Sequence, residues 1–247
     1  MTYTPRTRLF VEASLAAGAA VEASEGQAHY LSHVMRAKAG EDVALFNGRD
    51  GEWGAKVAFP SKRRVQLDVG EKLREQTVTP DVWLVFAPVK RIEFLVEKAT
   101  ELGVRALHPV FTRRTTIGRV NLARLSAHCM EASEQSDRLS VPELSDARPF
   151  FDFLAAWPQG RRLYFLDETG GGAPIAQVLA KANADADVKS PCAFLTGPEG
   201  GFDQSELDAL RRLPFATPVG LGPRILRAET AALAALACWQ AFCGDWV

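Results

Sequence analysis

Two runs in the C-terminal half, the first of them glycine-dense, have the composition of ligand-holding loops. One is Leu195-Thr196-Gly197-Pro198-Glu199-Gly200-Gly201-Phe202 and the other runs from Leu221 to Ala231, LGPRILRAETA. Each follows a short apolar run and leads into a helical pattern. Three glycines and a proline within Gly197–Gly201 leave main-chain N–H and C=O groups uncovered, so a flat ligand can approach the backbone closely. Either run alone reads equally well as an efficient turn. The pair reads as two walls of one pocket. Neither holds GxGxxG, and GxxxxGK followed by Ser or Thr occurs nowhere, so the ordinary dinucleotide and P-loop fingerprints are absent. No GxSxG nucleophile elbow is present either.

Other polar residues narrow the chemistry further. His29 and His33 stand four apart on a helical stretch, which is half of a metal site with no carboxylate or cysteine motif to complete it; no metal is expected. The four cysteines form no CxxC pair and read as reduced thiols. The net charge of −1 conceals a local field: Arg105, Arg113, Arg114, Arg119 and Arg124 fall within 105–130 without one acidic residue. Phosphate binding follows local fields, so a near-neutral chain can still grip nucleic acid.

The elements that must position these residues change style near residue 75. Before it, short β-patterns prevail. Asp42–Phe46 is a strand, Asn47–Gly51 a turn, and Trp53, Val57 and Phe59 mark a second strand. Pro60–Arg63 is another turn, and Val65, Leu67 and Val69 alternate. One helix interrupts them, with Leu31, Val34 and Met35 on one face of Gln27–Lys38. After the polar stretch Glu75–Pro80, strands and helices alternate. Strands are expected at Val82–Ala87, Ala106–Phe111, Leu163–Leu166, Ala193–Thr196 and Thr217–Val219. Helices are expected from Ile92 to a stop at Gly103, from an Asn121 cap to about Asp137, and over Ile175–Ala182, Gln204–Leu213 and Glu229–Phe242. Asp203 and Glu206 have the spacing of a capping box, and Ala182–Lys189 is a loop. Such alternation implies an α/β fold with a mostly parallel sheet and helices on both faces. Both glycine runs would leave the carboxyl edge of that sheet, where such folds bind ligands. The division expected is 1–74 as a small β-barrel and 75–247 as the α/β domain. No apolar run is long enough to span a bilayer and the N-terminus lacks the apolar core of a signal peptide, so a cytoplasmic protein without a membrane partner is expected.

The strings LTGPEGGF and LGPRILRAETA closely resemble the signature loops of the RsmE-type ribosomal RNA methyltransferases, of the SPOUT (α/β-knot) superfamily. KRIEFLVEKATELGV at Lys90–Val104, EASEQSDRLSVP at Glu131–Pro142 and HYLSHVMRAKAGEDVALFNGRDGEW at His29–Trp53 resemble that family's segments in the right order. The resemblance implies a C-terminal trefoil-knotted domain, a PUA-like RNA-binding β-barrel before it, and a homodimer that completes each site. It implies S-adenosyl-L-methionine as cofactor. The substrate implied is a uridine of 16S ribosomal RNA, free or in the small subunit, methylated at N3.

Carried over residue by residue, the resemblance places Gly197, Pro198, Gly200, Gly201, Leu221, Gly222, Ile225 and Leu226 around the cofactor, with Leu166 on another wall and Thr196 and Thr230 at the rim. Uridine N3 is a poor nucleophile while protonated, so a base or a stabilising cation is needed. Arg138 is the candidate to orient the phosphate or the uracil anion, because its planar fork suits either. Glu199 is a candidate base or a purely structural turn residue. Arg227 and Glu229 either pair with each other as scaffolding or serve the catalysis. Arg8, Arg36, Lys90, Arg91 and Arg113 are the candidates for RNA contact. Family members often carry an acid near Thr112–Thr115, where this chain reads TRRTT, so no role of that acid transfers. The competing readings are a SPOUT enzyme acting on another RNA or on a ribose 2′-hydroxyl, and a non-catalytic ribosome assembly factor.

Overall fold

The computed structural model describes residues 5–61, 64–184 and 190–246. The chain divides into two compact units, Met1–Val78 with Ser133–Val141, and Thr79–Ala132 with Pro142–Val247. The turn expected at Pro60–Arg63 falls partly on residues 62–63, and the loop at Ala182–Lys189 largely on 185–189; both of those stretches lie outside the described residues.

The first unit is built on a five-stranded sheet, in the order β1-β3-β4-β5-β2. Its elements are β1 (Arg8–Phe10), β2 (Ala20–Glu22), α1 (Glu25–His29), β3 (Asp42–Phe46), β4 (Glu52–Ser61) and β5 (Arg64–Arg74). β1 and β3 run parallel and the other pairs antiparallel. Alternation puts Val65, Leu67 and Val69 of β5 inward against Ala55, Val57, Val43 and Leu45, with Leu9 and Leu31 completing the core. Register shifts along β4–β5 bend the sheet around that core. Ser24 caps α1 in a capping box with Gln27.

The helix read over Gln27–Lys38 departs from expectation. After His29 the chain makes a π-helical turn over Tyr30–Val34, closed by Met35 N–H donating to the Tyr30 carbonyl at 2.9 Å. The wider turn carries Val34 off the face that buries Leu31: Leu31 is 0% exposed and Val34 62%. Arg36 then takes a left-handed φ of 51°.

The second unit holds an all-parallel sheet. In chain order its elements are β6 (Val82–Phe86), α2 (Ile92–Glu101), β7 (Ala106–Phe111), α3 (Leu122–Gln135, whose last turn belongs to the first unit), β8 (Glu143–Leu144), β9 (Arg148–Pro149), α4 (Phe150–Ala155), β10 (Arg162–Leu166), β11 (Ala173–Pro174), α5 (Ile175–Ala184), β12 (Cys192–Thr196), α6 (Gln204–Arg212), β13 (Ala216–Gly220) and α7 (Ala228–Cys243). The strand order is β11-β13-β10-β12-β6-β7-β8, with β9 also on β7. Val85, Leu163, Phe165, Ala193 and Leu195 point to the face covered by Phe150 and Phe153 of α4 and Leu207 and Leu210 of α6. The intervening residues point to the opposite face, where α7 packs on β12 and touches α2 and α5. Both faces are therefore covered, which is why the central strands are continuously apolar. Among the described residues no helix is long and apolar enough to cross a membrane.

Candidate active site

The site is set by three neighbouring parallel strands. β10 lies between β12 and β13, in register at Phe165↔Leu195 and Leu166↔Val219. Because all three run the same way, their following segments leave one edge of the sheet, and β12 and β13 are about 10 Å apart across β10. The two glycine runs and the segment after Leu166 thus share that edge.

The first run turns tightly. Gly201 N–H donates to the Pro198 carbonyl at 2.9 Å, and Gly201 sits at φ +67°, a left-handed value that a side chain would strain. The space a Cβ would need is also taken: it would stand 1.6 Å from Glu168 Oε1. Phe202 then plugs the sheet face beside Phe150, and Asp203 and Glu206 form the expected capping box at the start of α6. Glu206, 0% exposed, takes Asp203 N–H at 2.8 Å on one oxygen and Arg113 N–H at 2.8 Å on the other. One buried carboxylate therefore ties the glycine loop's exit to the basic segment after β7. Arg114 adds a second tie, donating to the Gly200 carbonyl at 3.0 Å.

The second run is more open. Gly222 has φ +92° with nothing near its hypothetical Cβ, and Ile225 is 97% exposed. It returns to the first run at α7: Thr196 Oγ1 donates to the Ala228 carbonyl at 3.4 Å. Thr230 is exposed on the first turn of α7. Glu229, buried, faces Arg91 at 3.7 Å rather than pairing with Arg227. The physical reason is the reach of the β6–α2 loop, which presents Arg91 to α7; Arg91 also lies over Phe94, 4.5 Å from the ring centroid.

Charge at the strand ends is managed unequally. Burial works against the Asp167 carboxylate, yet Thr169 N–H at 2.9 Å, its hydroxyl at 2.6 Å and Arg211 at 2.9 Å hold its pKa below the usual value. Next door, burial and then the Asp167 charge push Glu168 up, with Arg114 opposing. Asp203 is held low by the Ser205 hydroxyl and N–H.

Several candidates stand elsewhere than their chemistry would suggest. Glu199 Oε1 accepts the Lys90 N–H at 3.1 Å, which ties the glycine loop to the loop before α2. Arg138 belongs to the first unit, where its Nε donates to the Ser140 carbonyl at 3.1 Å. Arg8 is already engaged within the first unit. Its side chain is 12% exposed and grips Glu52 at 2.6 Å, the Ser133 and Glu134 carbonyls at 3.1 and 3.0 Å, and the Arg138 carbonyl at 2.6 Å. A guanidinium so engaged has little left for a phosphate. Arg36, Lys90, Arg91 and Arg113 are exposed. Glu168 and the second bond of Glu206 are legible only in the fold, Glu206 being signalled by its capping spacing alone, and Arg114 shows in the sequence only as one arginine of the basic run 105–130.

Residues 75–240 match the family described as RNA methyltransferase domain, and residues 24–70 match the RNA methyltransferase PUA domain. The chain belongs to this RNA methyltransferase family. The ribosomal RNA small subunit methyltransferase E of Rickettsia conorii is 31% identical to this methyltransferase over 93% of each chain. Its Synechocystis counterpart is 32% identical over 93% of this chain and 76% of that one. Among solved structures, the same enzyme from Neisseria gonorrhoeae, bound to S-adenosyl methionine, superposes with a TM-score of 0.85 at 26% identity, covering 98% of this chain and 99% of that one. A Legionella pneumophila methyltransferase in complex with that cofactor gives 0.85 at 27%, covering 96% and 98%.

Proposed function

We propose that this methyltransferase uses S-adenosyl-L-methionine to methylate N3 of a uridine in 16S ribosomal RNA, as free RNA or within the small subunit, in the cytoplasm. The observation that carries this reading is the shared strand edge at which both glycine runs emerge, one with a left-handed glycine, the other with bare backbone at Gly222. Relatives named for the small-subunit RNA, and solved neighbours carrying the cofactor, support it.

The residues present fit a nucleoside ligand. Gly201 holds a left-handed turn that a side chain would strain and Gly222 leaves its backbone open, so main-chain groups face the loop space. Gly197, Pro198, Gly200 and Gly201 would hold one side of the adenosyl group. Leu221, Gly222, Ile225 and Leu226 would hold the other, with Leu166 beneath and Thr196 and Thr230 at the rim. When bound, the cofactor supplies an electrophilic methyl on a cationic sulfur, so no metal is needed. Arg138 then has the remaining task of orienting the target phosphate or holding negative charge on the uracil ring as N3 loses its proton. We read Glu199 as a loop tie rather than the base, because it is engaged by Lys90 N–H. Arg36, Lys90, Arg91 and Arg113 would contact phosphates, which position RNA without reading its sequence. The segment 1–74 would serve as the RNA grip and 75–247 as the catalytic domain, which lends 133–141 to the first unit, in a trefoil-knotted homodimer. Ile225, left in water at the tip of a cofactor loop, is a residue such a dimer would cover.

The test is nucleoside analysis of ribosomal RNA from a deletion strain beside wild type. Loss of N3-methyluridine, restored by the plasmid-borne gene, supports the reading. A change confined to ribose methylation overturns it in favour of a 2′-hydroxyl enzyme, and no change in any methylated nucleoside favours an assembly factor.

A further inference from the structure

Glu168 stands out among the carboxylates of the site. Asp167 is bonded by Thr169 and Arg211, Asp203 by Ser205, and Glu206 by two backbone N–H groups. No hydrogen-bond donor or ion-pair partner meets Glu168 among the described residues. Yet its carboxylate is pressed against the cofactor loop: a Cβ on Gly201 would lie 1.6 Å from Oε1, 2.7 Å from Cδ and 3.2 Å from Oε2. The glycine therefore makes room for this carboxylate as well as for the turn. The one cation that bears on it, Arg114, is committed to the Gly200 carbonyl at 3.0 Å and lies 4.0 Å from Asp203. Glu168 keeps an exposed side, yet partial burial and the neighbouring Asp167 charge raise its pKa, so negative charge there lacks a compensating partner. A cationic ligand arriving at the loop would supply that partner.

Resting on the cofactor reading above, we propose that Glu168 is a specificity residue that selects for positive charge on the cofactor, favouring the sulfonium substrate over its uncharged thioether product. In methyl transfer the N3 proton of the uridine passes to water, the carbon–sulfur bond breaks with its electron pair staying on sulfur, and the methyl bonds to the freed N3 lone pair. The cofactor thereby loses one positive charge while the rest of it is unchanged. A carboxylate at this loop adds to the grip on the sulfonium form and nothing to the grip on the spent form, so the product is held less tightly than the substrate and leaves. Hydroxyl donors of the ribose are the alternative partner, but they are common to both forms and would give no such preference.

The test is calorimetric titration of the full chain, wild type, Glu168→Gln and Glu168→Asp, with S-adenosylmethionine, S-adenosylhomocysteine and sinefungin, which carries an amine where the sulfonium stands. Glu168→Gln removes charge and little volume. The expected result is a loss of about tenfold in affinity for the two cationic ligands, a coupling of the size ordinary for a partly screened charge pair, with little change for S-adenosylhomocysteine. Glu168→Asp keeps the charge and should keep the preference. Equal losses for all three ligands, or no loss, overturn the proposal while leaving the cofactor reading standing. A wild-type chain that binds none of the three overturns the cofactor reading, and this inference with it.

Discussion

Arg8 Nη2 donates to the main-chain carbonyl of Arg138 at 2.6 Å, across 130 residues of sequence. The same guanidinium takes Glu52 and two carbonyls at the end of α3, while Phe10 N–H bonds Glu134 Oε1 at 2.9 Å. Arg74 binds Glu52 from its other side at 2.7 Å. The Glu-Gln-x-x-Arg segment is thus fastened along β1, and the β-unit carries Arg138.

Arg8→Ala leaves Glu52 with one partner and three carbonyls without their donor. Breaking one member of a buried charge cluster costs roughly 3 kcal/mol, read as a lower urea midpoint for the first unit. If Arg8 acts on RNA only through Arg138, then adding Arg8→Ala to Arg138→Ala brings no further loss of RNA affinity. Additive losses would show that Arg8 meets RNA itself.

Gly201→Ala should weaken cofactor binding about tenfold, an energy near 1.4 kcal/mol and the size of a left-handed alanine's strain, and it should also displace the Glu168 carboxylate from the loop. Gly200→Ala meets only Arg114 at 3.5 Å and should be milder. Calorimetry with S-adenosylmethionine compares the two; equal losses would place the steric demand elsewhere.

Arg113 is 62% exposed and 3.7 Å from Asp203, a pairing weak enough to yield to phosphate. Arg113→Ala should lower RNA affinity alike for target and unrelated sequences. It should also flatten the plot of log affinity against log salt by roughly 0.7, one phosphate's share for single-stranded RNA. An unchanged slope would remove it from the RNA surface.

His108 gives the protein a pH signature unrelated to catalysis. His108 Nδ1 lies 2.9 Å from Ser145 Oγ, a hydroxyl that also reaches the Asp146 carbonyl at 3.3 Å. Nε2 is buried without a partner. Burial first, then Arg161 and Arg148, lower the folded pKa to about 4 from an ordinary 6.5. Below the unfolded value only the unfolded chain takes up the proton. Stability from this group is therefore full above about pH 6.5 and lost as pH falls to about 4, by roughly 3 kcal/mol. The urea midpoint should fall less between pH 7 and pH 4.5 in His108→Phe than in wild type, and an equal fall in both would remove His108 as the cause.

Local chemistry was enough to read much of this molecule. The apolar runs of β6, β10 and β12 are parallel-sheet strands because both their faces are covered, and that shows as unbroken hydrophobicity. The Asp203–Glu206 spacing is a cap because the bonds involved span three residues. Long-range partners leave no such trace. Arg8 looks like any exposed arginine until a carbonyl 130 residues away takes its proton donor. Val34 keeps helical spacing, but one π-turn moves it to the surface.

The sequence by itself determined the two glycine runs, the strands that launch them and the helices that follow, since period, caps and left-handed turns are written in neighbouring residues. Only the tertiary structure decided which side chains share the site. It set Glu168 on Gly201, Glu206 on Arg113 and Arg91 on Glu229, because strand order, not position in the chain, determines which groups meet and which are left unpaired.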